Sequence, residues 1–110
     1  KIKRGRYVLI DALKIQKGHT KKRFLIKEVI GLEGDKIAID ENGNIIILDK
    51  TLKIRSQRSD GSPLSPIKER TVKEGHIFVA GDGLKSFDSR YQEFGLVPIT
   101  AVRNAAIAIR

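Results

Sequence analysis

The sequence predicts an all-β domain, and three observations predict it. Short apolar runs rich in β-branched residues recur along the 110 residues, each of strand length. Asn42-Gly43 separates two of them, and both residues accept a positive φ, so a hairpin is expected there. No stretch sustains the apolar period of an amphipathic helix. The length suits one domain over residues 1–110 with one modest core. Hydrophobic residues make up 40% of the chain, which favours folding over disorder.

Taken in order, "RYVLID" (6–11) is a short apolar strand, and "RFLIKEVIG" (23–31) is a longer one. "KIAID" (36–40) alternates, and "NIIIL" (44–48) follows the turn "ENG". "HIFVAG" (76–81) and "AAIAIR" (105–110) read as further core strands. A single helical turn fits near "PITAVRN" (98–104). Two stretches read as loops: the basic "QKGHTKKR" (16–23), around Gly18, and "RSQRSDGSPLSPIKER" (55–70), a long mid-chain excursion with two prolines.

Composition excludes several functions. With no Cys there is no disulfide framework, thiol nucleophile or Cys-based metal site. The histidines, His19 and His76, lack partners at ligand spacing, so neither a metal nor a cofactor is expected. "EGHIF" reads as a turn entering a strand, not as the setting of a catalytic histidine. "GLEGD" and "GDG" lack the spacing of a phosphate cradle. The longest apolar run, "GNIIILD" (43–49), falls far short of the roughly 18 residues of a membrane span.

The net charge is +9, and residues 1–23 hold nine Lys/Arg against one acid, Asp11. A nucleic-acid face, a juxtamembrane basic segment and a solvated arm all fit that excess. Aromatic content of only 5% weakens a single-strand stacking platform.

Two places carry candidate chemistry. In an extended strand, Lys27 shares a face with Leu25 and Val29, while Ile26 and Ile30 flank Glu28 on the other face. Burial there lowers a lysine pKa, and a neutral lysine can activate a hydroxyl. A lysine on an edge strand, its ammonium reaching water, fits the same pattern. The second place is "GDGLKSFDSRYQEFG" (81–95). If extended, Ser86, Asp88 and Arg90 point the same way, so Asp88 and Arg90 could pair while Ser86 presents its hydroxyl. A polar loop with an incidental ion pair fits that spacing too.

Together these segments resemble the type I signal peptidases, membrane-bound serine proteases with a Ser/Lys dyad. "IKEVIGLEGDKIAID" (26–40) resembles the family's lysine box, and "VKEGHIFVAGDG" (72–83) its "PEGHYFVLGDN" segment. "SFDSRYQEFGLVP" (86–98) resembles "SxDSRYWGxVP", and "AAIAIR" the closing strand. The resemblance implies strongly curved antiparallel sheets. It also implies that Lys27 is the general base and that the Ser86 hydroxyl orients it. Asp88 and Arg90 would form a stiffening salt bridge, and Gly81 and Asp82 the supporting turn. Glu28 stands where most members have arginine, and Glu33 where they have proline. The spacing from Gly81 to Ser86 is one residue shorter, and "SFD" resembles the conjugative-transfer branch, the TraF-like peptidases that mature pilin.

The resemblance also implies a nucleophilic serine in a Ser-x-x-Pro-like box just before "KRGRYVLID", and no such box stands in these 110 residues. The expectation is therefore the soluble portion of a membrane-anchored enzyme, inactive as this fragment, with its catalytic domain on the outer (periplasmic or extracellular) face. Its expected partners are extended segments of exported preproteins or a pilin precursor, plus the membrane through an anchor; nucleic acid is not expected. The rival readings are a catalytically inactive assembly component and a basic nucleic-acid-binding β-domain.

Overall fold

A computed structural model describes residues 1–15 and 22–107. The chain is all-β, as its patterning predicts: nine strands in two antiparallel sheets, with two single 3₁₀ turns, Ala12–Lys14 and Ile99–Ala101, among the described residues. The strands are β1 (Tyr7–Asp11), β2 (Phe24–Gly31), β3 (Lys36–Ile39), β4 (Ile45–Ile47), β5 (Lys50–Leu52), β6 (Arg70–Thr71), β7 (His76–Ala80), β8 (Val97–Pro98) and β9 (Val102–Ile107). One sheet has the order β8-β7-β2-β1-β9 and the other β5-β4-β3-β6. The basic loop expected at 16–23 falls mostly outside the described residues, as do the last three residues of the closing strand.

The chain has two apolar clusters where its length suggests one core. The first gathers Val8, Ile10, Val29, Ile77, Val79, Phe94, Val97 and Ala101. The second gathers Ile30, Ile37, Ile45, Ile47, Ile67, Val72, Phe78 and Ala80. Strands β2 and β7 form the wall between them. Successive side chains point to opposite faces, so Ile77 and Val79 enter one cluster while Phe78 and Ala80 enter the other. That double burial explains why "IFVA" is uniformly apolar.

The sheets curve where ladders slip. Glu28 pairs with Ala80 and Val29 with Val79, but Gly31 pairs with Phe78, so β2 carries an extra residue there. A bulge of this kind bends the strand and increases its twist. Gly31 suits the bend, because a Cβ there would lie 3.3 Å from the Phe78 Cβ. The β1–β9 ladder shifts register twice.

Two turns differ from expectation. The β3–β4 hairpin closes with the Gly43 amide donating to Asp40 O at 3.0 Å, and Gly43 alone in it takes a positive φ, of 84°. Asp40 Oδ1 accepts the amides of Asn42 and Asn44 at 2.9 Å each, which fixes the turn through side-chain bonds. The β4–β5 hairpin turns on Leu48-Asp49, with Leu48 at φ 54°. Leucine is not a turn residue, so the sequence did not signal this hairpin. The very short β6 and β8 were equally silent. The mid-chain excursion is pinned by isolated bridges, Gln57 to Pro63 and Pro66 to Tyr91. Its Leu64 and Ile67 are buried.

Candidate active site

Lys27 lies in β2 opposite Val8 of β1. Of its neighbours on the same face, Val29 belongs to the first apolar cluster and Leu25 packs against it, so the lysine stem runs along apolar surface. Nζ donates to Ser86 Oγ at 3.1 Å. The Lys27 pKa is lowered, chiefly because burial disfavours the ammonium; Asp88 opposes that shift, and Arg90 and Lys22 add to it.

Ser86 Oγ donates in turn to Asp88 Oδ2 at 2.8 Å. Asp88 is fully buried and heavily engaged. Its Oδ2 also accepts the Gly81 amide at 2.9 Å and Arg90 Nη2 at 2.8 Å. Its Oδ1 accepts Arg90 Nε at 2.9 Å and the Arg90 amide at 3.1 Å. This forked pair is geometrically demanding. Arg90 is itself buried and reaches Lys53 O and Gly83 O at 2.9 and 3.0 Å. A buried charge pair is tolerable only when its other donors and acceptors are met in this way.

Residues 86–90 are not extended. The Tyr91 amide returns to Asp88 O at 3.1 Å, so the stretch folds through a turn. Parity along a strand therefore does not explain why Asp88 meets Arg90; a tight turn does. Gly81 matters for space. A Cβ there would collide with Ser86 Oγ and lie 3.2 Å from Lys27 Nζ. Asp82 stands apart: it is exposed and joins none of these bonds, and its charge is felt at Tyr7, whose phenol pKa it raises together with Glu28. Of the residues singled out in the sequence, Lys27, Ser86, Asp88, Arg90 and Gly81 thus meet in one contact chain, and Asp82 borders it.

Ser89 was missed by sequence reasoning. Its Oγ accepts the Val79 amide at 3.0 Å and donates to Gly95 O at 2.8 Å, tying the loop to β7. Only its place inside "DSRY" could have flagged it. His76 opens β7, and its Nδ1 lies 2.9 Å from Glu74 O; His19 is outside the described residues. Among the described residues no three His, Asp or Glu side chains converge as metal ligands.

One edge beside Lys27 is open. β1 pairs with β2 from Phe24 to Glu28, whereas β7 pairs with β2 only from Glu28 onward. Among the described residues, no strand pairs with Phe24–Lys27 on the β7 side. A hollow of about 420 Å³, lined by Glu28, Ile30, Leu52, Asp82 and Leu84 among others, opens beside Gly81. Glu28 and Ile30 place it on the opposite face of β2 from Lys27.

The sequence pattern of the family described as signal peptidase, peptidase S26, matches residues 1–109. The chain belongs to that family. A signal peptidase I from Enterococcus faecalis V583 has a similar fold, with a TM-score of 0.59 at 22% identity over 97% of each chain. No curated protein matches the sequence. As a signal peptidase-like chain it is expected to share the serine-peptidase character of peptidase S26. No helix among the described residues is long and apolar enough to cross a membrane.

Proposed function

We propose that this chain is the catalytic domain of a Ser/Lys signal peptidase that removes signal or pro-peptides from exported proteins on the outer face of a membrane. The observation that carries the reading is the bond between Lys27 Nζ and Ser86 Oγ, made by a lysine whose stem is among core residues. Lys27 is the general base. Burial biases it toward the neutral form, and the Ser86 contact holds one of its hydrogens, leaving the lone pair to face the reacting hydroxyl.

Ser86 orients and does not attack. Its own proton goes to Asp88, whereas a nucleophile must aim its proton at the base. In this reading the attacking hydroxyl belongs to a serine other than Ser86. It adds to the scissile carbonyl while Lys27 takes its proton. Lys27 then returns that proton to the leaving amine, giving an acyl-enzyme that water or an amine resolves. Substrate binds as an added strand along the open edge of Phe24–Lys27, which suits an extended peptide. The "SFD" spacing supports the conjugative-transfer branch, whose substrate would be a pilin precursor.

The test compares the chain alone with the same chain joined to a segment that carries an anchor and a Ser-x-x-Pro box. The substrate is a preprotein with small residues before the cut. The chain alone is expected to cleave nothing. The extended form is expected to cleave and to lose activity in Lys27→Ala. Cleavage by the chain alone that depends on Ser86 would make Ser86 the nucleophile and overturn the assignment.

A further inference from the structure

Ser86 is carried by residues 81–90, none of which lies in a strand. Yet its hydroxyl must stay within hydrogen-bond tolerance of Lys27. Much of what braces this loop is the mid-chain excursion. Arg55 Nη2 donates to Lys85 O at 2.6 Å, and the Arg55 amide donates to Tyr91 Oη at 3.2 Å. The Arg58 guanidinium lies 4.2 Å over the Phe87 ring centroid. That ring also stacks on Tyr91 at 6.4 Å and meets the edge of Phe94 at 5.3 Å.

Lys85 and Phe87 are the residues immediately before and after Ser86. One is held through its carbonyl and the other through its ring, each by an arginine of the same excursion. We propose that Arg55 and Arg58 are positioning residues for the Lys27–Ser86 pair, acting through the two chain neighbours of Ser86. The inference rests on Lys27 being the general base. It gives a role to Phe87 and to the long excursion, which the mechanism otherwise leaves unused. Without the two grips, Ser86 swings away, water reaches Nζ, and the lysine reverts toward ordinary behaviour.

The experiment follows the Lys27 titration by carbon NMR at its ε position, with thermal stability measured in parallel. Arg55→Ala and Arg58→Ala are each expected to shift the titration upward, toward that of a free lysine, and the double variant furthest. Arg58→Lys, which keeps a cation over the ring, is expected to retain most of the wild-type position. Should the double variant fail to fold, Arg58→Gln against Arg58→Lys gives the same comparison. Lys85→Gln removes a cation beside Ser86 but keeps both grips. Arg4→Ala breaks the Arg4–Asp35 pair, which lies outside these contacts. Both are expected to leave Lys27 unmoved. The proposal is overturned if Arg55→Ala and Arg58→Ala do not shift Lys27. It is equally overturned if Lys85→Gln shifts it as far, since charge alone then suffices, or if Arg4→Ala does, since lost stability then suffices. A wild-type Lys27 that titrates like a free lysine would instead sink the general-base reading itself.

Discussion

A lysine whose stem lies among core side chains is harder to keep charged than one in water. For Lys27 this gives a stability prediction with a definite sign. Its folded pKa lies below its unfolded value, because burial outweighs the attraction of Asp88. Between those two values the unfolded chain binds more protons, so stability rises with pH across that window. Below the window the penalty is present in full; above the unfolded value it is gone. Lys27→Met, which keeps the stem's bulk and removes the charge, is therefore expected to stabilise the fold at neutral pH. That advantage should shrink as pH rises into the alkaline range. Urea unfolding at several pH values measures it, and an advantage that grows with pH would contradict a lowered pKa. Exchanging a functional group for stability in this way is common at working sites.

At the scale of elements, the β4–β5 hairpin holds the clearest strain. Leu48 has a φ of 54°, a conformation in which Cβ crowds the backbone, and its side chain is 57% exposed. Little burial compensates it. Leu48→Gly is expected to raise stability by about 1 kcal/mol, or roughly 4–8 °C in thermal midpoint for a domain near this size. Glycine's greater freedom in the unfolded chain works against that gain. A fall in midpoint would mean that Leu48 makes contacts worth more than the strain. The wall formed by β2 and β7 is a different kind of element. It serves both apolar clusters, carries Lys27 and runs directly into Gly81, whose amide binds Asp88, so changes in its packing are felt directly at the site.

At the scale of the whole molecule, charge and exposed apolar surface coincide near one end of β2. Leu13, Phe24 and Ile26 are exposed large hydrophobics, with Lys14 and Arg23 as chain neighbours of Leu13 and Phe24. Part of the N-terminal positive charge is structural: Arg4 pairs with Asp35, and Arg23 with Asp11. We propose that the rest meets an anionic membrane surface. Binding to anionic vesicles is expected to fall steeply with salt, as the Debye length shrinks from about 8 Å at physiological ionic strength to about 3 Å at 1 M. Flotation with anionic and neutral vesicles checks this. Tight, sequence-selective DNA binding without vesicle binding would point to a nucleic-acid partner instead.

Taken alone, the sequence determined what local covalent geometry dictates. Strand alternation put Lys27 beside Leu25 and Val29, because a period of two holds wherever a strand forms. The runs at 7–11, 24–31 and 76–80 were legible for the same reason, and Gly43 marked its turn. The contact between Asp88 and Arg90 was anticipated from extended parity, but a turn makes it, since two residues apart can meet through either geometry. The tertiary structure alone decided the rest. Which face of β2 looks into which cluster depends on the second sheet, which no local period encodes. The short strands β5, β6 and β8 exist only because a neighbouring strand supplies their hydrogen bonds. Lys27 meets Ser86 across 59 positions of chain, and Arg58 lies over Phe87 although no motif links them. Such pairs are set by the packing of distant segments, a balance of many weak terms summed over the whole fold, so the 3.1 Å between Nζ and Oγ is a property of the folded molecule.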